Sequence, residues 1–314
     1  MNTSRLSRIP LGSEVVVEKN LEKRDIVIAI MGPTGSGKSN FIDHLSTSSA
    51  RAGSRLQSVT EAVEAIRLRG HSNYQDRIVL VDTPGFDDTY RSDMEILQLI
   101  GEWLKRTYKS SIKLSGILYL HRISDNRMAG SPHRNLRMFG ELCGDRAMAK
   151  VILVTTMWDR VLPEVGTKRE NDLLANYWAV MTQEGAQTFR FKNTDDSAWE
   201  ILDVLLRSEN DRRVLLLQEE MVKMRKRLNE TRAGMTLYAD LVSLLEKEKK
   251  VLESIENADP SRVKQLQNDH ARAQEEIEII FRQLKKLKIS FGRRVILFFK
   301  GDAKSHAVEI PDPR

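Results

Sequence analysis

The sequence predicts an α/β protein with a mainly parallel sheet, followed by an α-helical coiled-coil extension. Two observations predict the sheet: apolar strands alternate with amphipathic helices over the first two thirds of the chain, and a glycine-rich turn joins an early strand to a helix. The extension is predicted by a change of spacing, because from Val214 onwards the apolar residues recur at alternate intervals of three and four.

The apolar pattern gives each predicted element its bounds. The strands are Asp25–Met31, Ala65–Leu68, Arg77–Asp82, Leu114–Leu120, Lys150–Thr155 and Thr188–Lys192. The helices are Ser39–Leu45, Ser92–Tyr108, Pro132–Cys143, Lys168–Met181 and Ser197–Leu206. This alternation predicts helices on both faces of a sheet in one domain over residues 24–209, after a flexible tail over residues 1–23. Ligands of such sheets bind beyond the carboxyl ends of the strands, so the motifs at those ends carry the functional prediction.

The composition limits the class of protein. The chain has 314 residues, enough for one domain with an appendage, and no stretch approaches the roughly 18 consecutive apolar residues of a membrane span. Residues 1–22 are polar and lack the apolar region of a secretory signal. The single cysteine, Cys143, has no partner for a disulfide within the chain, which suits a reducing compartment. A cytoplasmic protein is expected, with peripheral membrane contact left open.

The net charge of +6 is concentrated in the last third of the chain, where residues 214–300 contain 18 Lys and Arg against 13 Asp and Glu. Such an excess is compatible with an acidic membrane surface, a nucleic acid or an acidic partner. No recognition module and no aromatic stacking platform accompany the basic clusters, so sequence-specific nucleic-acid binding is not expected.

The glycine-rich turn fits the phosphate-loop pattern G-x-x-x-x-G-K-[ST]. It lies between an apolar strand and the start of a helix, where backbone N–H groups and the positive end of the helix dipole surround one point. Lys38 is expected to reach the β- and γ-phosphates, and the Ser39 hydroxyl is expected to ligate Mg²⁺. The predicted nucleotide-binding residues here are Gly32, Pro33, Thr34, Gly35, Ser36, Gly37, Lys38, Ser39 and Asn40.

A second motif, Asp82-Thr83-Pro84-Gly85, follows the strand that ends at Asp82. Asp82 is expected to hold Mg²⁺, usually through water, and Gly85 lets its backbone N–H approach the γ-phosphate. At this spacing behind a phosphate loop, the motif favours a GTPase over most kinases and ATPases. Phe86 stands where many small GTPases carry the Gln that orients the attacking water, which predicts slow hydrolysis or a residue supplied from elsewhere.

Thr60 lies in the segment between the two motifs. A threonine there can offer its hydroxyl to Mg²⁺ and its N–H to the γ-phosphate, which would make the loop sensitive to the nucleotide. The alternative is an ordinary threonine of a surface loop. Lys38, Thr60 and Gly85 are the predicted catalytic residues, and Ser39, Thr60 and Asp82 are the predicted Mg²⁺ ligands.

Base recognition is predicted at the turn after the strand Lys150–Thr155. Thr156 and Asp159 keep the spacing of the guanine reader [NT]-K-x-D, in which the carboxylate accepts hydrogen bonds from the guanine N1–H and exocyclic amine. Met157 replaces the lysine whose stem normally covers the base, which weakens the guanine prediction without excluding it. The alternative role of Asp159 is to cap the following helix.

These motifs resemble those of the septin and immunity-associated branch of P-loop GTPases, which also includes the plastid translocon receptors. The resemblance covers residues 24–207, and it is carried by the phosphate loop, Ser58-Val59-Thr60, Val81–Phe86 and Asp159. It implies a G domain that binds GTP or GDP with Mg²⁺. It further implies that Asn193, in Phe191-Lys192-Asn193, contacts the base, and that the chain forms a homodimer or higher oligomer through the G domain and the coiled coil. Assembly on membranes or as filaments is typical of this branch.

The predicted extension spans residues 210–300, before a flexible tail over residues 301–314. Asp259-Pro260 lies between its two halves and is a good start for a new helix, so a hairpin turning near residues 257–261 is favoured. Because the heptad register continues across Pro260, one long kinked helix is the alternative. The apolar segment Val295–Phe299 has basic flanks and fits either a membrane interface or packing against the protein.

The motifs together predict a GTP-binding protein with slow Mg²⁺-dependent hydrolysis, acting as a nucleotide-controlled switch or assembly unit. Two alternatives remain open: a coiled-coil scaffold with the nucleotide as a structural ligand, and a P-loop ATPase. His121 and Arg122 follow a strand at the same edge of the sheet, where either side chain is within reach of a phosphate or of a partner's nucleotide.

Overall fold

The computed structural model of the chain describes residues 10–47, 62–88, 91–125, 131–207, 215–237 and 239. The chain divides into two compact units, residues 1–246 and residues 247–314, and every described residue lies in the first. Thr60, the predicted hairpin turn near residues 257–261 and the apolar segment Val295–Phe299 lie outside the described residues.

Seven strands form one sheet in the order β1-β3-β4-β2-β5-β6-β7. The five strands β4, β2, β5, β6 and β7 are parallel, whereas β1 and β3 are antiparallel to their neighbours. The predicted mainly parallel sheet is therefore confirmed, with a mixed edge. The strands are β1 Gly12–Val16, β2 Ile26–Met31, β3 Glu64–Arg69, β4 Ile78–Asp82, β5 Leu114–Arg122, β6 Val151–Thr156 and β7 Gln187–Arg190.

Helices pack on both faces of this sheet. On one face, Leu118 and Leu120 of β5 belong to the same buried cluster as Phe41 of α1 and Leu202 of α6. On the other face, the ring of Tyr119 lies 4.5 Å from that of Phe139 in α3. The helices are α1 Lys38–Asp43, α2 Asp93–Lys109, α3 Ser131–Cys143, α4 Pro163–Asp172, α5 Ala179–Gln183 and α6 Asp195–Arg207, with a wider helical turn at Leu173–Tyr177 between α4 and α5.

The edge strand β1 corrects the prediction of a flexible tail over residues 1–23. β1 pairs with β3 from Gly12 to Val16, and Leu11 donates its N–H to the Leu45 carbonyl at 2.9 Å. The run Val15-Val16-Val17 has high strand propensity, and Val16 is buried while Val15 is exposed, as expected of a strand with one face on the protein.

The described part of the predicted coiled coil also differs from the prediction. α7, Leu216–Gln218, continues as a wider helical turn over Glu219–Lys223, and the chain then leaves the helix before a short 3₁₀ turn at Leu228–Glu230. Arg225 in this break has a φ of 53°, which is left-handed backbone. Residues 232–237 are again helical. The heptad seam is therefore not one continuous helix over residues 215–237.

The reason is that its first apolar residues pack on the preceding domain. Leu217 is fully buried, and the position of a Cβ at Gly101 of α2 would lie 3.1 Å from the Met221 sulfur. At the end of α3, a Cβ at Gly144 would lie 2.7 Å from the Leu216 Cβ, beside the buried Cys143. Residues 215–233, here called the docked segment, therefore extend the domain beyond the predicted boundary at residue 209. Within the described residues, no helix is both long and apolar enough to cross a membrane.

Candidate functional site

The phosphate loop connects β2 to α1 and has a backbone that only glycines adopt easily. Gly35 and Gly37 have φ values of 75° and 90°. Their backbone N–H groups make no hydrogen bond to another described residue. Unpaired N–H groups at a helix start are suited to receive phosphate oxygens, so the loop has the donors that the sequence predicts.

Lys38 lies beneath this loop. Its ammonium group donates hydrogen bonds to the carbonyls of Gly32 at 3.1 Å and Pro33 at 3.0 Å. Burial lowers the pKa of Lys38 to about 8, an effect opposed by the negative charge of Asp82 and reinforced by the positive charge of Arg122. The side chain is therefore held at the loop and protonated near neutral pH.

Ser39 and Asp82 meet where β2 and β4 end side by side. The Ser39 hydroxyl donates to Asp82 Oδ2 at 3.0 Å, and Asp82 is fully buried. A hydroxyl and a carboxylate are hard oxygen donors of the kind that Mg²⁺ takes together with water and phosphate oxygens, so these two residues fit the predicted metal. Among the described residues, no group of three or more His, Cys, Asp or Glu side chains is placed to hold a metal ion. The third predicted ligand, Thr60, lies outside the described residues.

The turn after β4 rests directly on the phosphate loop. Thr34 donates its N–H to the Phe86 carbonyl at 2.7 Å, and its hydroxyl donates to the Gly85 carbonyl at 3.2 Å and to Asp88 Oδ2 at 3.3 Å. A Cβ at Gly85 would lie only 2.6 Å from the Thr34 backbone, so the contact requires glycine. The Phe86 side chain is fully buried and offers no polar atom to a water molecule.

The predicted base turn follows β6. The Thr156 hydroxyl is buried and donates to the Ser36 carbonyl at 2.8 Å, so it ties the base turn to the phosphate loop instead of facing a base. Met157 is half-buried with a left-handed φ of 61°. Asp159 is exposed and makes no hydrogen bond or ion pair to another described residue, which leaves its carboxylate available to a ligand.

Asn193 and Asn40 come together across the start of α1. Asn40 Nδ2 donates to Asn193 Oδ1 at 2.6 Å, and Asn193 has a left-handed φ of 57°. The ring nitrogens of His44 lie 3.1 Å from Asn193 Oδ1 and 2.5 Å from Asp195 Oδ1. Sequence reasoning missed His44, although its position four residues after Asn40 places both on one face of the helix.

His121 and Arg122 separate at the end of β5. The His121 ring is buried against Trp178, with ring centres 6.2 Å apart, and burial lowers its pKa to about 4. A neutral, enclosed ring in this position does not serve as a phosphate ligand. Arg122 lies at the phosphate loop, with Nη1 3.1 Å from the position that a Cβ would take at Gly35. Arg127, a further basic residue in the segment after β5, lies outside the described residues.

Residues 27–156 match a family model described as 50S ribosome-binding GTPase. The match runs from β2 to the end of β6, stops before Met157 and Asp159, and covers less than half of the chain. Together with the phosphate loop and the order of the strands, it supports a P-loop GTPase domain and a GTP-binding protein. None of the curated proteins compared with the chain matches it.

Several solved structures are similar to the chain. Toc33 from Arabidopsis thaliana, in complex with Mg²⁺ and GMPPNP, is 16% identical with a TM-score of 0.46 over 63% of this chain and 89% of that chain. A bacterial selenocysteine-specific elongation factor, EF-Sec, is 15% identical with a TM-score of 0.44 over 60% of this chain and 29% of that chain. SelB from Methanococcus maripaludis, with the GTP analogue GPPNHP, is 13% identical with a TM-score of 0.41 over 62% and 36%.

Proposed function

We propose that the protein binds GTP and Mg²⁺, hydrolyses GTP slowly and acts as a nucleotide-controlled switch or assembly unit. The observation that carries this proposal is the convergence of Lys38, the Ser39–Asp82 pair and the Gly85 turn on one loop with unpaired N–H groups. Lys38 and the loop N–H groups bind the phosphates, and Ser39 and Asp82 hold Mg²⁺, which supplies positive charge to the β- and γ-phosphates when bound.

Guanine is the proposed base because Asp159 presents an unpaired carboxylate at the base turn. A carboxylate accepts hydrogen bonds from the guanine N1–H and amine, which adenine does not provide. Asn193, which is hydrogen-bonded to Asn40 at the start of α1, is the second proposed contact to the base. Met157, in place of lysine, is the observation that keeps adenine nucleotides as the second candidate ligand.

Slow hydrolysis is proposed from Phe86. Small GTPases use a polar residue at this point to orient the attacking water. The buried phenyl ring has no such atom, so water is placed only by backbone groups or by a residue from elsewhere. The same observation supports the alternative of a scaffold that holds its nucleotide without using it.

The switch role is supported by a physical connection from the phosphate loop to the docked segment. Thr34 contacts the Gly85 turn, and this turn leads into α2, whose start is fixed by hydrogen bonds between Ser92 and Glu95. At the other end of α2, the Leu104 carbonyl accepts a hydrogen bond from Gln218 Nε2 at 3.2 Å. A shift of α2 on nucleotide exchange therefore acts on the docked segment, which precedes the predicted coiled coil.

Hydrogen bonds within the docked segment should make it move with α2 as one unit. Glu220 is buried and accepts hydrogen bonds from Lys226 Nζ at 2.7 Å and from the Arg232 N–H at 3.0 Å. Arg232 also pairs with Glu141 of α3 at 2.6 Å. These bonds close the segment on itself across its break and attach it to α3 as well as α2.

The proposal also covers the branch of the family, the oligomeric state and the location of the protein. The sequence motifs support membership of the septin and immunity-associated branch. They also support a homodimer or higher oligomer through the G domain and coiled coil, and a cytoplasmic location with membrane-surface contact. Sedimentation of the full chain with GDP and with GMPPNP tests the oligomer: a larger species with GMPPNP is the expected result, and one monomeric species in both would contradict it.

The first test is a competition titration with a fluorescent GTP analogue, chased by GTP, GDP, ATP or xanthosine triphosphate with Mg²⁺. Displacement by GTP and GDP but not ATP is expected. Lys38→Ala removes the buried ammonium and should abolish binding, whereas Lys105→Ala, on the exposed face of α2, should not change it. Equal displacement by ATP would favour the ATPase or scaffold alternatives. Unchanged affinity in Lys38→Ala would overturn the phosphate-loop assignment.

A further inference from the structure

Arg122 is the last residue of β5, and its guanidinium group lies beside the phosphate loop of the same chain. Its Nη1 atom is 3.1 Å from the position that a Cβ would take at Gly35, one of the residues whose N–H group is unpaired among the described residues. β5 runs directly behind this loop, because a Cβ at Gly32 would lie 2.3 Å from the Leu120 carbonyl oxygen. The neighbouring strand therefore holds the guanidinium at the loop.

A carboxylate fixes this side chain without using all of its donors. Arg122 Nε lies 3.0 Å from Oδ1 and 3.1 Å from Oδ2 of Asp125. No other hydrogen bond within the described residues occupies the guanidinium, and its Nη1 remains next to Gly35. Asp125 thus orients the group while leaving donors for a ligand.

Two positive charges meet at the phosphate loop as a result. The Lys38 ammonium is held under the loop by two carbonyls, and the charge of Arg122 acts on it repulsively. The negative charges of Asp82 and Asp88 act on Lys38 in the opposite sense, so part of this repulsion is offset within the protein. A phosphate anion at the loop would attract both cations. A nucleotide phosphate group is an anion of the right charge for this place.

We infer that Arg122 contacts the phosphates of the bound nucleotide in cis, together with Lys38 and the N–H groups of the loop. The inference rests on the proposed function for its ligand, but it concerns the phosphates and not the base. A guanidinium group presents several donors in one plane and binds phosphate oxygens in pairs, which suits the role better than a single ammonium. Arg122 also brings a positive charge next to the base turn, where Met157 stands in place of the usual lysine.

The test compares nucleotide titrations of Arg122→Ala, Arg122→Lys and Arg106→Ala in the full chain. Arg106 is the matched control, since it is an arginine held by one carboxylate, Glu18, near the end of α2. Arg122→Ala should weaken GDP and GMPPNP about 10- to 100-fold, the usual effect of losing a hydrogen bond to a charged group. Arg122→Lys should show a smaller loss of affinity for GDP and GMPPNP, and Arg106→Ala should show no loss.

Guanosine separates a phosphate contact from a change in the fold. Because it has no phosphate, its weak binding, measured by competition, should be the same in all variants. Unchanged GDP affinity in Arg122→Ala overturns the inference, and so does an equal loss for guanosine. Should the wild-type chain prefer ADP to GDP, the proposed guanine function fails, while a loss of ADP affinity in Arg122→Ala still supports the inference. A wild-type chain that binds no nucleotide overturns both.

A mixing experiment decides between cis and trans. The Lys38→Ala chain keeps Arg122 but should bind no nucleotide of its own. If Arg122 acts in cis, adding this chain to Arg122→Ala leaves the GDP affinity of Arg122→Ala unchanged. Restored affinity in the mixture would overturn the contact in cis.

Discussion

Asp159 lies at the turn after β6 with no partner among the described residues, and the proposed function assigns it the recognition of the base. In the proposed site, this carboxylate accepts two hydrogen bonds from guanine. In Asp159→Asn, the amide donates where the carboxylate accepted, so preference should shift from guanine toward xanthine by about tenfold or more, the effect of one or two exchanged hydrogen bonds. Competition of GTP and xanthosine triphosphate for a fluorescent analogue measures the shift. An unchanged ratio would remove Asp159 from the base site.

His121 should make stability depend on pH. Its pKa is lowered from 6.5 to about 4 by burial, with Arg122 lowering it further and Asp125 raising it. Between these values the unfolded chain binds the proton and the folded chain does not, so the stabilisation present above pH 6.5 is lost as the pH falls toward 4. The shift corresponds to about 3 kcal/mol at most.

The comparison variant is His121→Asn, which has no titrating ring. Urea unfolding at several pH values should show a steeper loss of unfolding free energy below pH 6.5 in the wild-type chain than in the variant. Carboxylates that titrate in the same range are common to both chains and cancel in the difference. Parallel pH profiles would show that the buried ring is not the cause.

At the scale of elements, the turn after β4 is pressed against the phosphate loop so closely that Gly85 has no room for a side chain. Gly85→Ala should push this turn away from Thr34. It should weaken binding of GMPPNP more than that of GDP, because in the proposed site the Gly85 N–H contacts only the γ-phosphate. Gly12→Ala in β1 is the control, since its Cβ would meet Arg69 at an ordinary 3.6 Å. Equal loss for both nucleotides would argue against a role at the γ-phosphate.

The strands and helices also show which structural features a sequence pattern predicts and which it does not. Strands β2, β4, β5 and β6 were predictable because each contains an unbroken run of at least four apolar residues, as buried parallel strands do. β1 was not, because an edge strand with one exposed face has a mixed composition that resembles a tail. The Lys38 and Asp82 positions followed from spacing alone, whereas Arg122 and His44 depend on which strand ends and helix faces meet in space.

At the scale of the whole molecule, the docked segment shows that a heptad pattern does not identify the surface on which its apolar face packs. Leu217 and Met224 both occupy the predicted heptad seam, yet Leu217 is fully buried on the domain and Met224 is 56% exposed. Spacing specifies that residues share a face, but not which surface that face meets. The choice between a partner helix and the domain itself is made by packing.

These two residues give a matched pair of substitutions. Leu217→Ala should lower the unfolding free energy by about 2–5 kcal/mol, as for a buried leucine. Met224→Ala should change it by about 0.5 kcal/mol or less, because the side chain is mostly in solvent. Urea unfolding of the full chain measures both. Equal losses would indicate that both side chains are buried in a coiled-coil seam after all.

Cys143 provides a reporter of motion at this interface. It is the only cysteine of the sequence, and burial raises its pKa far above the ordinary value. It ends α3, and the next residue, Gly144, lies against Leu216 of the docked segment. A thiol reagent should therefore modify the native chain far more slowly than the unfolded one, during local openings that expose the sulfur. Separation of the docked segment from the end of α3 is the opening that we expect to contribute. The labelling rate of the native chain then measures how often the thiol becomes accessible, without any engineered probe. A labelling rate that differs between the GDP-bound and the GMPPNP-bound chain would show that the nucleotide changes how often this part of the protein opens.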